Sequence, residues 1–138
     1  MSSPSDVDTT TVKVLIVDDQ LPFRLAARTV IRRADGFELV GEAASGEEAV
    51  ERVAELEPDL VLMDINMPGI NGIEATRQIV ALRPEVVVFL CSTYALTDLP
   101  PDAATSGATA YVNKEEMAPA VIVDLWGRRG EGFSTITS

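Results

Sequence analysis

Five polar side chains follow stretches of the sequence that have the pattern of buried strands. Three are carboxylates, one is a hydroxyl and one is an ammonium group: Asp18, Asp19, Asp64, Ser92 and Lys114. In open α/β sheets, ligands bind at the edge formed by the carboxyl ends of the strands. The placement of these residues therefore predicts a single polar site at a sheet edge, centred on Asp64.

The three acids point to a metal. Carboxylates that converge repel one another, and their charged forms are tolerated only beside a cation or after proton uptake. Oxygen ligands without His or Cys favour Mg²⁺, which prefers few carboxylates together with water and phosphate oxygens. The predicted ligands are Asp18, Asp19, Asp64 and the backbone carbonyl of Asn66, two residues beyond Asp64.

Ser92 and Lys114 would add a hydroxyl and a cation beside Asp64. A metal, a hydroxyl and an ammonium group together can stabilise charge on a transferring phosphoryl group. Carboxylates form acyl phosphates, so Asp64 is the predicted nucleophile. Each residue alone has an ordinary structural explanation, such as a helix cap or a solvated charge. Their joint placement favours the phosphoryl site.

The elements that must position these side chains alternate between strand and helix patterns. The predicted strands cover residues 12–17, 37–43, 59–64, 86–92 and 109–113. Helices follow each strand, the second opened by a capping box from Ser45 to Glu48 and the third capped by Asn71. Strands joined through helices are parallel, which predicts an α/β, doubly wound (βα)5 sheet of five strands in the order 2-1-3-4-5.

The segment after the fourth strand has the weakest pattern. Pro100 and Pro101 permit only a short fourth helix, ending at Gly107, because proline lacks a backbone donor and restricts the residue before it. A fifth helix should reach about Trp126. The predicted organisation is a flexible leader, one folded domain and a C-terminal tail: residues 1–11, 12–127 and 128–138.

Composition narrows the classes of function. The chain has 138 residues, 46% of them hydrophobic, which suits one domain. A net charge of −11 argues against nucleic-acid binding by this chain alone, and the lack of histidine removes Ser-His-Asp sites and most zinc sites. No signal peptide or membrane-length apolar run occurs, so the expected location is cytoplasmic, without membrane contact.

The sequence resembles the receiver domain of two-component response regulators over about residues 12–127. The resemblance rests on the segments Val14–Asp19 and Met63–Pro68 with Gly72, on Ser92, and on Gly107-Ala108 leading to Tyr111 and Lys114. It implies a flavodoxin-like three-layer sandwich. It also implies a signalling protein rather than an enzyme for foreign substrates, one that catalyses only its own phosphotransfer and dephosphorylation.

The resemblance assigns roles to the acids by position. Asp64 matches the phosphoacceptor, which takes a phosphoryl group from the phosphohistidine of a sensor kinase. Asp18 and Asp19 match the Mg²⁺ acids, with Asp19 favoured as the direct ligand. Asn66 matches the residue whose backbone carbonyl binds the same ion.

Three further residues match the switch of the family. Ser92 matches the switch hydroxyl, Lys114 the phosphate-contacting lysine, and Tyr111 the aromatic that rotates inward on activation. The implied partners are a sensor histidine kinase or phosphotransfer protein, and an output partner at the face of the fourth helix, fifth strand and fifth helix. A homodimer is an open alternative.

The sequence around Phe37–Glu48 and Lys114-Glu115 is most similar to receivers that precede a helix-turn-helix DNA-binding domain. We expect a stand-alone receiver, with a fragment separated from such an output domain as the alternative. Two features depart from the family. Thr93 stands where a small residue usually controls access to the phosphoaspartate, and Pro100 and Pro101 lie in the output face.

Two rival functions come from other classes. The first is a protein-interaction module that keeps the receiver fold without being phosphorylated. The intact set of five polar residues argues against it, and the departures at Thr93 and the prolines leave it open. The second is a small phosphatase with an aspartyl nucleophile. The phosphatase is disfavoured because such enzymes resemble a strand ending in Asp-x-Asp, and the residue two after Asp64 is Asn66.

Overall fold

A computed structural model of the protein describes residues 11–135. Most of the predicted leader and the last residues of the predicted tail, 1–10 and 136–138, lie outside the described residues. The strands are β1 (Val12–Val17), β2 (Phe37–Ala43), β3 (Leu60–Asp64), β4 (Val87–Ser92), β5 (Ala110–Asn113) and β6 (Ser134–Thr135). The α-helices are α1 (Leu21–Arg33), α2 (Gly46–Leu56), α3 (Gly72–Leu82) and α4 (Pro119–Gly127).

The strands form one parallel sheet in the order β2-β1-β3-β4-β5-β6. The predicted order 2-1-3-4-5 is therefore confirmed for the first five strands. Every residue of β3 is buried, because the strand lies between β1 and β4 and helices cover both faces of the sheet. The carboxyl ends of β1 and β3 are consequently neighbours.

Helices on the two faces complete the predicted doubly wound, three-layer arrangement. On one face, α1 and α4 bury Ile31 and Ile122 in a core cluster. On the other face, α2 and α3 bury Val53 and Ile79 in a second cluster. Along the described part of the chain, no helix is both long enough and apolar enough to cross a membrane.

The helices that flank β3 begin where the sequence predicts. Ser45 Oγ accepts a hydrogen bond from the Glu48 N–H at 3.0 Å, and the Glu48 side chain accepts one from the Ala44 N–H at 2.8 Å. Asn71 Oδ1 accepts the Glu74 N–H at 2.9 Å. These caps fix the loops that lead from the sheet edge into α2 and α3.

The predicted fourth helix is wrong. Between β4 and β5 the described chain forms two single 3₁₀ turns, Leu96–Asp98 and Pro101–Ala103, and no α-helix. Pro100 is extended, with ψ at 137°, because a residue that precedes a proline is forced out of the helical region. Two successive prolines also remove two backbone donors, which leaves too short a segment for an α-helix.

The prediction of five strands is also incomplete, because part of the predicted tail forms β6. Ser134 N donates to Thr109 O at 2.9 Å, and β6 pairs with β5 in parallel. Phe133 packs against the core cluster that contains Tyr111. An uncovered edge strand presents unpaired backbone groups, and β6 covers the first half of β5, at Ala110 and Tyr111. Its two polar residues carry no strand pattern in the sequence.

Candidate functional site

Three acids converge where β1 and β3 end. Val17 pairs with Met63, so Asp18 and Asp19, which follow β1, lie beside Asp64, the last residue of β3. Each acid offers a carboxylate oxygen, and these oxygens lie within 4.8 Å of one another. Asp18 and Asp64 are buried, whereas Asp19 is partly exposed. The predicted convergence of the acids is therefore present.

Asp18 is held at all of its polar atoms. Its backbone N–H donates to Ala43 O at 3.0 Å, and its carbonyl accepts a hydrogen bond from Arg24 Nη1 at 2.7 Å. Asp18 Oδ1 accepts the Gln20 N–H at 2.7 Å, and Oδ2 accepts from Lys114 Nζ at 2.6 Å. The turn after β1 is thus fixed by β2, α1 and the end of β5.

Lys114 is the cation of the site. Its Nζ lies 2.6 Å from Asp18 Oδ2 and 3.2 Å from Asp64 Oδ1. The same nitrogen lies 4.5 Å from the centre of the Phe23 ring, a cation–π geometry that the sequence analysis missed. Burial lowers the pKa of Lys114, but the hydrogen bond to Asp18 and the charge of Asp64 outweigh it, so its pKa lies above the usual value.

Asp64 has a strongly shifted pKa. Burial and the charge of Asp18 raise it, the nearby Lys114 lowers it, and the net result is a pKa of about 6.

The backbone around Asp64 is tightly packed, since a Cβ added to Gly72 would lie 2.0 Å from the Asp64 carbonyl oxygen. Gly72 therefore allows α3 to begin directly against the end of β3.

Ser92 and Tyr111 contact each other rather than the acids. Ser92 Oγ lies 2.8 Å from the Tyr111 hydroxyl and accepts the Tyr94 N–H at 3.1 Å. The Tyr111 hydroxyl has one proton to donate. Its short contact to the Tyr94 carbonyl oxygen, 2.7 Å, indicates that this oxygen is the acceptor. Ser92 is then the donor to Tyr111. The Tyr111 side chain is buried, so its ring already points inward in this conformation. The expected inward rotation stays a prediction.

Tyr94 joins this pair to the loop after β3. Its hydroxyl donates to Asn66 Oδ1 at 3.1 Å, and its carbonyl also accepts from Asn113 Nδ2 at 3.1 Å. Tyr94 had no predicted role, because this residue lies in the irregular segment after β4. Thr93, expected to narrow access to Asp64, is exposed.

The donor set suits a hard divalent cation. Asp18, Asp19 and Asp64 supply only carboxylate oxygens. Burial, together with the charges of Asp18 and Asp19, raises the pKa of Asp64, and a bound cation would oppose that rise. Fold and site together define a doubly wound α/β domain with an acidic site at the carboxyl edge of its sheet.

Comparison with known proteins identifies the family. Residues 14–125 match the response regulator receiver domain, and the chain belongs to this family. Its members are signalling proteins, and the acidic site is consistent with signalling controlled by phosphorylation. The solved receiver-type structures share the fold: a two-component response regulator of the LuxR family from Aurantimonas sp. SI85-9A1 is 31% identical with a TM-score of 0.79, covering 90% of this chain and 89% of that one.

Relatives of known sequence differ in how much of their length is matched. Response regulator GacA from Pseudomonas syringae pv. syringae (strain B728a) is 37% identical over 86% of this chain, which spans only 57% of GacA. Chemotaxis protein CheY from Thermotoga maritima is 40% identical over 82% of this chain and 93% of CheY. A CheX-CheY-BeF3-Mg²⁺ complex from Borrelia burgdorferi has 30% identity and a TM-score of 0.72, covering 86% of this chain and 90% of that one.

Proposed function

We propose that this protein is a switch that accepts a phosphoryl group on Asp64, with Mg²⁺, from a sensor histidine kinase or a phosphotransfer protein. One arrangement carries the proposal. Asp64 Oδ1 lies 3.2 Å from Lys114 Nζ, and Asp64 shares a cluster of carboxylate oxygens with Asp18 and Asp19. Membership of the receiver family supports the same assignment.

In the proposed transfer, an Asp64 oxygen attacks the phosphorus and the bond from phosphorus to the donor's imidazole nitrogen breaks. The products are an acyl phosphate on Asp64 and a free imidazole, and later attack by water releases phosphate. Lys114 compensates the charge of the phosphoryl oxygens. Asp18, Asp19, Asp64 and the carbonyl of Asn66 would hold Mg²⁺, which supplies positive charge beside those oxygens.

The proposed readout starts at Ser92. A phosphoryl group on Asp64 would offer its hydroxyl a charged acceptor, and hydrogen bonds to charged groups are stronger than neutral ones. Ser92 would then leave Tyr111, which keeps its hydrogen bond to Tyr94 O. The change shifts the population of conformations at the β5 side of the molecule, where an output partner would bind. A cytoplasmic location is part of this proposal.

Phosphorylation by a small phosphodonor tests the assignment. Incubation with acetyl phosphate and Mg²⁺ should add one phosphoryl group per chain by intact mass, and chelation of Mg²⁺ should prevent it. Asp64→Asn should remain unlabelled. Asp59→Asn is the matched control, because Asp59 is a partly buried aspartate that directly precedes β3, at the end of the strand opposite to Asp64, and accepts a hydrogen bond from Lys13 N at 2.9 Å. Equal labelling of Asp64→Asn would contradict the proposal.

The rival function, a receiver-fold interaction module that is not phosphorylated, has one observation in its favour. Ser92 Oγ bonds the Tyr111 hydroxyl and the Tyr111 side chain is buried, so the predicted switch pair is engaged with itself rather than with Asp64. Such a module would bind its partner equally well before and after treatment with the phosphodonor. A protein that neither binds Mg²⁺ nor becomes labelled would favour this function.

A further inference from the structure

A bulge in β2 turns one acid toward α1. In the β1–β2 pairing, Val14 opposes Leu39 and Leu15 opposes Gly41, so Val40 is an extra residue. Because side chains alternate across a strand, one extra residue inverts the faces of all residues that follow it. Glu42 therefore pairs with Ile16, which lies in the core cluster beneath α1. Without the bulge, Glu42 would face α2.

Glu42 meets two arginines from successive turns of α1. Arg24 Nε donates to Glu42 Oε1 at 3.1 Å, and Arg28 Nη2 donates to the same oxygen at 3.0 Å. Arg28 Nε donates to the other carboxylate oxygen, Oε2. The Arg24 and Glu42 side chains are 18% and 19% exposed, which limits solvent screening of this pair. Glu42 thus fixes the position of the Arg24 guanidinium.

The Arg24 guanidinium contacts Glu42 through Nε and reaches the acidic site through Nη1. Arg24 Nη1 donates to the carbonyl of Asp18 at 2.7 Å, while the Asp18 N–H donates to Ala43 O, the residue after Glu42. The end of β2 therefore holds Asp18 twice, once directly and once through Arg24. Asp18 is fully buried, so water cannot replace a lost partner of its carbonyl without local rearrangement.

We propose that Arg24, held by Glu42, is a positioning residue that fixes the turn carrying Asp18 and Asp19, and so sets the affinity of the acidic site for a divalent cation. The inference rests on the proposed metal site. Arg24 does not touch the cluster of carboxylate oxygens in any recorded contact, so it acts through the Asp18 backbone. Outer-shell groups of this kind orient metal ligands.

Calorimetric titration of the full chain with MgCl₂ tests the inference. Arg24→Gln should bind Mg²⁺ about 10- to 100-fold more weakly than the wild type. Arg24→Lys should also weaken binding, because a single ammonium cannot donate to Glu42 and Asp18 with the geometry of a guanidinium fork. Glu42→Gln should weaken it less, and the Arg24→Gln/Glu42→Gln double variant should lose no more than Arg24→Gln, since both residues act through one contact.

The matched control is Arg77→Gln. Arg77 also joins two acids on different elements, Glu74 and Asp102, at 3.4 and 3.3 Å, but it lies on α3 and has no recorded contact with Asp18. It should leave the Mg²⁺ dissociation constant unchanged. Thermal unfolding in chelator monitors the fold of each variant.

The outcomes separate this inference from the proposed function. If the wild type binds Mg²⁺ and Arg24→Gln binds it equally well, or Arg24→Lys restores full affinity, the positioning role of Arg24 is wrong and the proposed function stands. If the wild type binds no Mg²⁺, both fail. A lowered unfolding temperature with unchanged affinity would mean that Arg24 is purely structural.

Discussion

The burial of Asp64 sets the electrostatics of the site. A carboxylate placed next to Asp18 at the end of a fully buried strand is destabilised in its charged form, and Lys114 at 3.2 Å compensates this only in part. Its pKa of about 6 means that the metal-free protein holds an ionised Asp64 at neutral pH at a cost in stability. In the proposed function, a bound cation and phosphoryl transfer would make use of that charge.

This cost predicts a pH-dependent effect of Asp64→Asn. The folded pKa, about 6, lies above the ordinary 3.8, so the folded state binds more protons between these values and stability falls as pH rises through them. In chelator at about pH 7.5, Asn, which carries no charge, should therefore stabilise the protein by up to about 3 kcal/mol. Below about pH 4 the two proteins should unfold at similar urea concentrations.

Urea unfolding of both proteins at the two pH values checks this result. The remaining acids are common to both chains, so the difference between them isolates position 64. An Asp64→Asn protein that is less stable at neutral pH in chelator would contradict the description of Asp64 as a destabilised charge.

Residue types alone were enough to predict the acids, because Asp18, Asp19 and Asp64 each follow an apolar run that ends at the same sheet edge. The sequence could not reveal the partners that cross between elements. Glu42 holds Arg24 against Asp18 because the bulge at Val40 turns Glu42 toward α1. The isolated glycine Gly41 indicates a bulge in β2, but not which acid and arginine the bulge brings together. The positions of the acids were therefore predictable from the sequence, whereas the contacts that hold them in place were not.

At the scale of elements, β6 adds a sixth strand beside β5, which would otherwise be the edge of the sheet. β6 pairs Thr135 with Tyr111, the predicted switch aromatic. The strand on the proposed output side is thus joined to the residue that would report the state of Asp64.

Ser134→Pro should release β6. Proline has no N–H to donate to Thr109 O, so the strand loses its recorded hydrogen bond, worth about 1 kcal/mol. We expect faster hydrogen exchange over residues 130–135 and faster tryptic cleavage after Arg128 and Arg129, with Asp64 still labelled by the phosphodonor. Ser134→Ala is the control, since it keeps the N–H and loses only a 3.4 Å contact of the hydroxyl.

Unchanged protection of residues 130–135 from hydrogen exchange in Ser134→Pro would mean that the pairing of β6 does not hold the segment in place.

The failure to predict β6 has a plain cause. A two-residue polar strand has no periodicity, and its position depends on Phe133 packing into a core formed by distant residues. The prolines did indicate a weak element after β4. Their restriction of the backbone, however, prevents even a short α-helix and leaves only 3₁₀ turns.

At the scale of the whole molecule, β5 lies between the acidic site and the far edge of the sheet. Lys114, which directly follows β5, contacts Asp18 and Asp64. Tyr111, within β5, bonds Ser92 and pairs with β6. The order of the first five strands was predictable because each βα unit is marked by its own periodicity. The direction in which Ser92 points was not, because it depends on Tyr94 and Tyr111 together.

The central claim is that Asp64 itself receives the phosphoryl group. Borohydride reduces an acyl phosphate to an alcohol, so reduction of the phosphodonor-treated protein, followed by peptide mass spectrometry, locates the modified carboxyl group. The account predicts homoserine at position 64 when Mg²⁺ is present and none after chelation. Homoserine at another acid, such as Asp18, Asp19 or Asp59, or an unmodified position 64 in a labelled protein, would contradict it.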